Sequence, residues 1–190
     1  MGYIVGKMLN YAEQNFQFSR FELAKLKYML ELIILNIGEM LLFAVIFIFL
    51  GRGTEFLVAS IVLLSVRSFA GGFHLAKFRY CVLLSFIIFW AVIMVLPAID
   101  ITQGLMEILL IISIVINVVL APVSKRKSGQ SPKSRAIFKC LSTAIILVYA
   151  ILLLRFRESP FVAIAMWTIF IQSIQLIIGK VLIANEKNDV

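Results

Sequence analysis

The sequence predicts an all-α polytopic membrane protein, with about six transmembrane helices and an amphipathic helix at its N-terminus. Three observations predict it. Of 190 residues, 62% are hydrophobic and only 15% charged, where soluble domains carry roughly 45–50% and about 25%. Mean hydropathy is +1.05. The apolar residues fall into six runs, at 29–50, 56–72, 81–97, 104–121, 136–154 and 160–183; a helix needs about 20 residues to cross a bilayer. A single water-facing globule could not hide that much apolar surface. The composition also excludes a disordered chain, a collagen-like chain and a disulfide scaffold, since Cys81 and Cys140 both lie beside apolar runs.

Residues 1–18 read as an interfacial helix. Ile4, Met8, Ala12 and Phe16 recur every fourth residue, with Val5, Leu9 and Tyr11 widening the stripe, while Lys7, Asn10, Glu13 and Gln14 are polar. A plain cytoplasmic arm is the competing reading. Ser19-Arg20-Phe21-Glu22 fits a capping box that starts a new helix. Residues 19–190 then form a single transmembrane helical domain. With charges scattered from Lys7 to Lys27, the first 27 residues do not read as a signal peptide.

The second run is the weakest span. Glu55 and Arg67 bound its short uncharged stretch, so a re-entrant or tilted segment competes with a full crossing. Basic residues orient the whole. The N-terminal segment (Lys7, Arg20, Lys25, Lys27), the connection 67–81, the polar loop 122–135 with Lys139, and the C-terminal Lys180 and Lys187 together hold fifteen of the 18 Lys and Arg; the alternate connections hold Arg52, Arg155 and Arg157. That asymmetry predicts a multi-pass protein of the cell membrane with both termini in the cytoplasm. The net charge of +8 therefore belongs to membrane-flanking loops, and the lipid bilayer, rather than nucleic acid, is the expected partner.

Residues 67–81 hold the one constellation suited to chemistry, Arg-Ser-Phe-Ala-Gly-Gly-Phe-His-Leu-Ala-Lys-Phe-Arg-Tyr-Cys. They contain the only histidine, one of two cysteines and a glycine pair. An imidazole can take the proton of a thiol nucleophile when the two approach within roughly 3–4 Å. On one straight helix, His74 and Cys81 would stand about 10 Å apart, so the chain must bend between them. Gly71-Gly72 eases such a path. A third span beginning near Tyr80 puts Cys81 in a first helical turn, where unpaired amides favour a thiolate. Duller readings stand beside this one: an inert apolar cysteine, an interfacial histidine, and a glycine turn.

The pattern of Arg67, Ala70-Gly71-Gly72, His74 and Cys81 resembles the signature of the AgrB family, the accessory gene regulator B proteins of Gram-positive quorum sensing. Size, the apolar spans, the basic loops and Asn36-Ile37-Gly38 are similar too. Leu75, where many relatives would carry Ala, departs from the pattern without removing a chemical group. The resemblance implies a membrane-embedded cysteine endopeptidase, expected as a homodimer. It would cleave the C-terminal region of an AgrD-like precursor through an acyl-enzyme thioester and promote cyclisation to a thiolactone or lactone. Carried over by position, Cys81 is the nucleophile and His74 the general base, in a loop at the cytoplasmic face, with Arg67 and Gly72 as supporting positions. A small peptide exporter and a non-catalytic peptide-presenting scaffold are the alternatives.

Polar residues inside the spans need explanations of their own. Glu31, expected near the cytoplasmic edge, could orient the imidazole, pair with Arg67 or sit solvated; Glu39 lies deeper. Ser65, Asn117, Gln172 and Gln175 read as interhelical hydrogen-bonding groups, and Cys140 as structural. No metal-ligand spacing and no phosphate loop appear, so no cofactor is expected.

Overall fold

The computed structural model describes residues 2–15, 18–72, 78–99, 102–123 and 131–188. Seven helices are described: α1 (Gly2–Asn15), α2 (Arg20–Phe49), α3 (Gly53–Ala70), α4 (Phe78–Trp90), α5 (Gln103–Leu120), α6 (Pro132–Arg155) and α7 (Val162–Asn188). α4 continues through a π turn, Ala91–Val95, into a 3₁₀ turn, Leu96–Ala98. Pro97 has no N–H to donate there, which ends the regular ladder. Among the described residues the only extended pairing is one parallel bridge, Gly71 with Val123. Among the described residues, six helices are long and apolar enough to cross a bilayer. The chain is an all-α polytopic membrane protein.

Two compact units divide the chain, Met1–Gly51 and Arg52–Val190. In the first, α1 packs against α2. Val5 and Ala12 are buried while Lys7, Asn10 and Glu13 stay exposed; the burial of Ile4, Met8 and Phe16 lies outside the description. Tyr11, expected on the apolar stripe, is exposed. The capping box forms. Ser19 Oγ accepts from the Glu22 N–H at 3.3 Å, and Glu22 Oε2 accepts from the Ser19 N–H at 2.8 Å. Losing such a cap costs about 0.5–2 kcal/mol.

In the second unit, α7 packs against α3, α5 and α6 and is the most deeply buried of the candidate spans. α3 comes next. It is one unbroken helix of 18 residues, about 27 Å long at 1.5 Å per residue, and it does not turn back on itself. Glu55 pairs with Arg52 at 2.9 Å at one end of it, and Arg67 stands in its last turn.

α5 shows which solvent this unit is built for. Its inner face buries Met106, Leu110, Ser113 and Asn117, whereas Ile108, Ile111, Val115 and Val119 face outward and exposed. Polar groups inside and branched aliphatics outside invert the pattern of a water-soluble helix. In lipid, apolar surface gains nothing by leaving the solvent, so packing and interhelical hydrogen bonds hold the helices together. Those bonds are present. Ser65 Oγ lies 3.0 Å from the Tyr149 hydroxyl, joining α3 to α6. Asn117 Oδ1 accepts from Ser142 at 2.9 Å and from Thr143 at 3.4 Å, joining α5 to α6.

Helix alternation puts the C-terminal ends of α3 and α5 and the N-terminal ends of α4 and α6 at one end of the second unit. The two long basic connections leave from that end. At the other end, α5, α7, the segment after α4 and the connection between α6 and α7 line a cavity of about 390 Å³, with Pro97, Gln103, Met106, Arg157, Val162 and Met166 among its walls.

Candidate active site

The site begins where α3 must stop. Gly71 takes φ +83° and ψ −153°, a region almost confined to glycine. Its N–H caps the helix by donating to the Arg67 carbonyl at 2.9 Å. A methyl group at Gly71 would collide with the Val123 carbonyl oxygen. The chain that follows α3 is then stitched to the chain that follows α5: the Val123 N–H donates to the Ala70 carbonyl at 2.8 Å, and the Gly72 N–H donates to the Val123 carbonyl at 2.9 Å. Glycine at 71 is thus required by conformation and by close approach together. At Gly72 a methyl would meet the Arg67 guanidinium at 3.5 Å and the Gln172 amide nitrogen at 3.9 Å, which is ordinary contact.

α7 supplies the third wall. Gln172 Nε2 donates to the Gly71 carbonyl at 2.8 Å, and Arg67 donates to Gln175 Oε1 at 3.4 Å. Both glutamines are buried, at 1% and 4% exposure. Among the described residues, Gln172 Oε1 and Gln175 Nε2 have no hydrogen-bond partner. The two residues stand three apart, so they share one face of α7.

Among the sequence-predicted residues, Arg67 is half-buried in the last turn of α3 and Gly72 forms part of the stitched segment. Cys81 is the fourth residue of α4 and half-buried. It lies in the first turn of α4 as described, just after residues 73–77, which lie outside the description. His74 lies outside the described residues, so its distance from Cys81 does too. Glu31 is an exposed residue of α2 in the first unit; it and the half-buried Glu39 have no hydrogen bond or ion pair to other described residues. Cys140 is exposed on α6. Among the described residues, no three His, Cys, Asp or Glu side chains gather where a metal ion could be held. The structure brings together Arg67, Gly71, Gly72, Val123, Gln172 and Gln175. The last two read from sequence only as interhelical groups, and the signal for more was their depth: two amides one turn apart in an apolar helix.

Residues 5–176 match the profile of the family described as AgrB, Accessory gene regulator B. The chain belongs to the AgrB family. An AgrB-like protein of Clostridium beijerinckii is 28% identical over 188 residues, covering 95% of this chain and 91% of its own length. No solved structure matches the chain. Membership of the AgrB family implies a part in processing the autoinducer of an accessory gene regulator system, with an AgrD-like peptide as substrate and the membrane as setting.

Proposed function

We propose that this AgrB protein is a membrane cysteine endopeptidase that cleaves the C-terminal region of its AgrD-like precursor and promotes closure of the remaining peptide into a thiolactone or lactone. The family match over residues 5–176 carries the reading, and the half-buried Cys81, the fourth described residue of α4, supports it. Cys81 Sγ attacks the scissile carbonyl carbon. His74 takes the thiol proton and delivers it to the departing amine, so the C-terminal fragment leaves and the acyl group stays on sulfur as a thioester. An internal Cys or Ser of the precursor then attacks that thioester, forms the ring, and returns the proton to the Cys81 thiolate.

A thioester conserves acyl-transfer potential while water is kept from it, which a site at the lipid boundary favours. Arg67 and Gly72 support the loop that carries His74. Glu31 is a candidate to orient the imidazole. The basic residues of 122–135 face the cytoplasm in this reading and attract an acidic precursor tail. The working form is a homodimer with both termini cytoplasmic.

The test is Cys81→Ala and His74→Ala, each with the cognate precursor. Both variants should insert normally and lose cleavage altogether, and the wild type should yield a trapped thioester-linked fragment. Normal cleavage in both variants would leave export or scaffolding in its place. Removal of residues 2–18 should weaken processing several-fold by withdrawing an amphipathic surface that meets the precursor at the membrane; an unchanged cleavage rate would remove that role.

A further inference from the structure

We propose that Gln172, far from the catalytic loop in sequence, is a positioning residue for this chemistry: its amide sets the direction in which the chain leaves α3 toward His74. The inference rests on the peptidase reading above. It starts from four consecutive backbone groups. The Ala70 carbonyl accepts from Val123, the Gly71 N–H donates to Arg67, and the Gly72 N–H donates to the Val123 carbonyl. The Gly71 carbonyl is the fourth, and its bond is to a side chain, Gln172 Nε2 at 2.8 Å. Gly71 lies three residues before His74.

The chemistry of the partners fixes the orientation of the Gln172 amide, because a carbonyl oxygen can only accept and must face the NH₂ end. Gln172 is 1% exposed, and its other end, Oε1, has no partner among the described residues. Among the described residues, the Gly71 contact is therefore the hydrogen bond that justifies the Gln172 amide at this depth. Gln175, one turn further along, accepts from Arg67, so the same face of α7 braces both the stitched segment and the motif arginine. Glycine at 71 is what makes the brace necessary. With no Cβ, the residue has wide freedom in φ and ψ, and hydrogen bonds rather than sterics must select its conformation. Removing the amide takes away one of the two hydrogen bonds that hold the Gly71–Gly72 peptide plane and leaves only the Gly72 N–H bond to the Val123 carbonyl to fix it. Misplacing a catalytic group by about 1 Å can cost about 100-fold in rate.

The experiment uses full-length protein in anionic vesicles on a Cys140→Ser background, so that alkylation by iodoacetamide reports Cys81 alone. Gln172→Met keeps the volume and removes the donor; Gln172→Asn keeps an amide on a shorter stem and serves as the second variant if the first inserts poorly. Rates are normalised to inserted protein. Gln172→Met should lower kcat for cleavage of the cognate precursor by about 10- to 100-fold with KM within about threefold. It should also move the pH dependence of Cys81 alkylation toward that of His74→Ala. Gln172→Asn should fall between Gln172→Met and wild type. Wild-type kcat and an unmoved alkylation profile in Gln172→Met and Gln172→Asn would overturn the positioning role, and so would a rise in KM alone, which would make Gln172 a substrate contact. Full cleavage by Cys81→Ala would instead bring down the peptidase reading itself, whatever Gln172 does.

Discussion

The two ends of the unit formed by residues 52–190 close in different ways. At one end, main chain is tied to main chain: Ala70, Gly71 and Gly72 are bonded to Val123 and Arg67, and a buried glutamine takes the remaining carbonyl. At the other, exposed side chains do the tying. Arg157 reaches Glu107 at 3.3 Å with both partners more than 40% exposed, Gln103 bonds the same carboxylate at 2.9 Å, and a cavity remains between the helices. Exposed ion pairs contribute about 0–1 kcal/mol and weaken in salt. The bond from the buried Gln172 to the half-buried Gly71 carbonyl is less open to replacement by water when it breaks. Geometry is therefore held more firmly at the end where main chain is tied to main chain. That is the end from which the cysteine-bearing helix starts.

The largest effect that separates the two ends belongs to Gly71→Ala. Its methyl would strike the Val123 carbonyl, and its backbone conformation costs a non-glycine residue about 1–3 kcal/mol. Thermal unfolding in detergent should show a large fall in midpoint, together with loss of cleavage. Gly72→Ala has room for its methyl and should leave the midpoint nearly unchanged, so that any loss of cleavage in that variant reports on chemistry at Arg67 or the loop. Equal midpoints for the two variants would break the argument that the clamp depends on Gly71.

A smaller effect is expected in the middle of the unit. Asn117→Leu removes the shared acceptor of Ser142 and Thr143, and interhelical hydrogen bonds in membranes average about 0.6 kcal/mol. It also deletes an amide nitrogen with no partner among the described residues, which offsets part of the loss. The midpoint should fall by only a few degrees. The smallest effect is Arg157→Ala at the exposed end. It should cost less than about 1 kcal/mol and lose even that difference at high ionic strength. If Arg157→Ala destabilises as much as Gly71→Ala, the contrast between the ends is false.

Much of this was legible in the sequence because it depends on composition and short-range pattern. Ser19-Arg20-Phe21-Glu22 specifies a helix start through four neighbouring residues, and that box is formed. Apolar runs of sufficient length become helices that can cross lipid, since a backbone in hydrocarbon must satisfy its own hydrogen bonds. The second run looked too short when judged by its charges alone. It is a full helix because Arg67 and Glu55 are accommodated at its ends by Gln175 and Arg52, partners that a charge count does not see. Ser65, Asn117, Gln172 and Gln175 were recognisable as hydrogen-bonding groups, but their partners were not.

The sequence by itself determined the solvent, the helices and the residue types available for a thiol-based reaction, because hydropathy, periodicity and capping act over a few residues at a time. Only the tertiary structure decided that Gly71 meets Val123 and that Gln172, 101 residues further along the chain, holds the carbonyl between them. Such contacts arise when helices distant in sequence pack side by side. No local pattern records which carbonyl a buried amide will find.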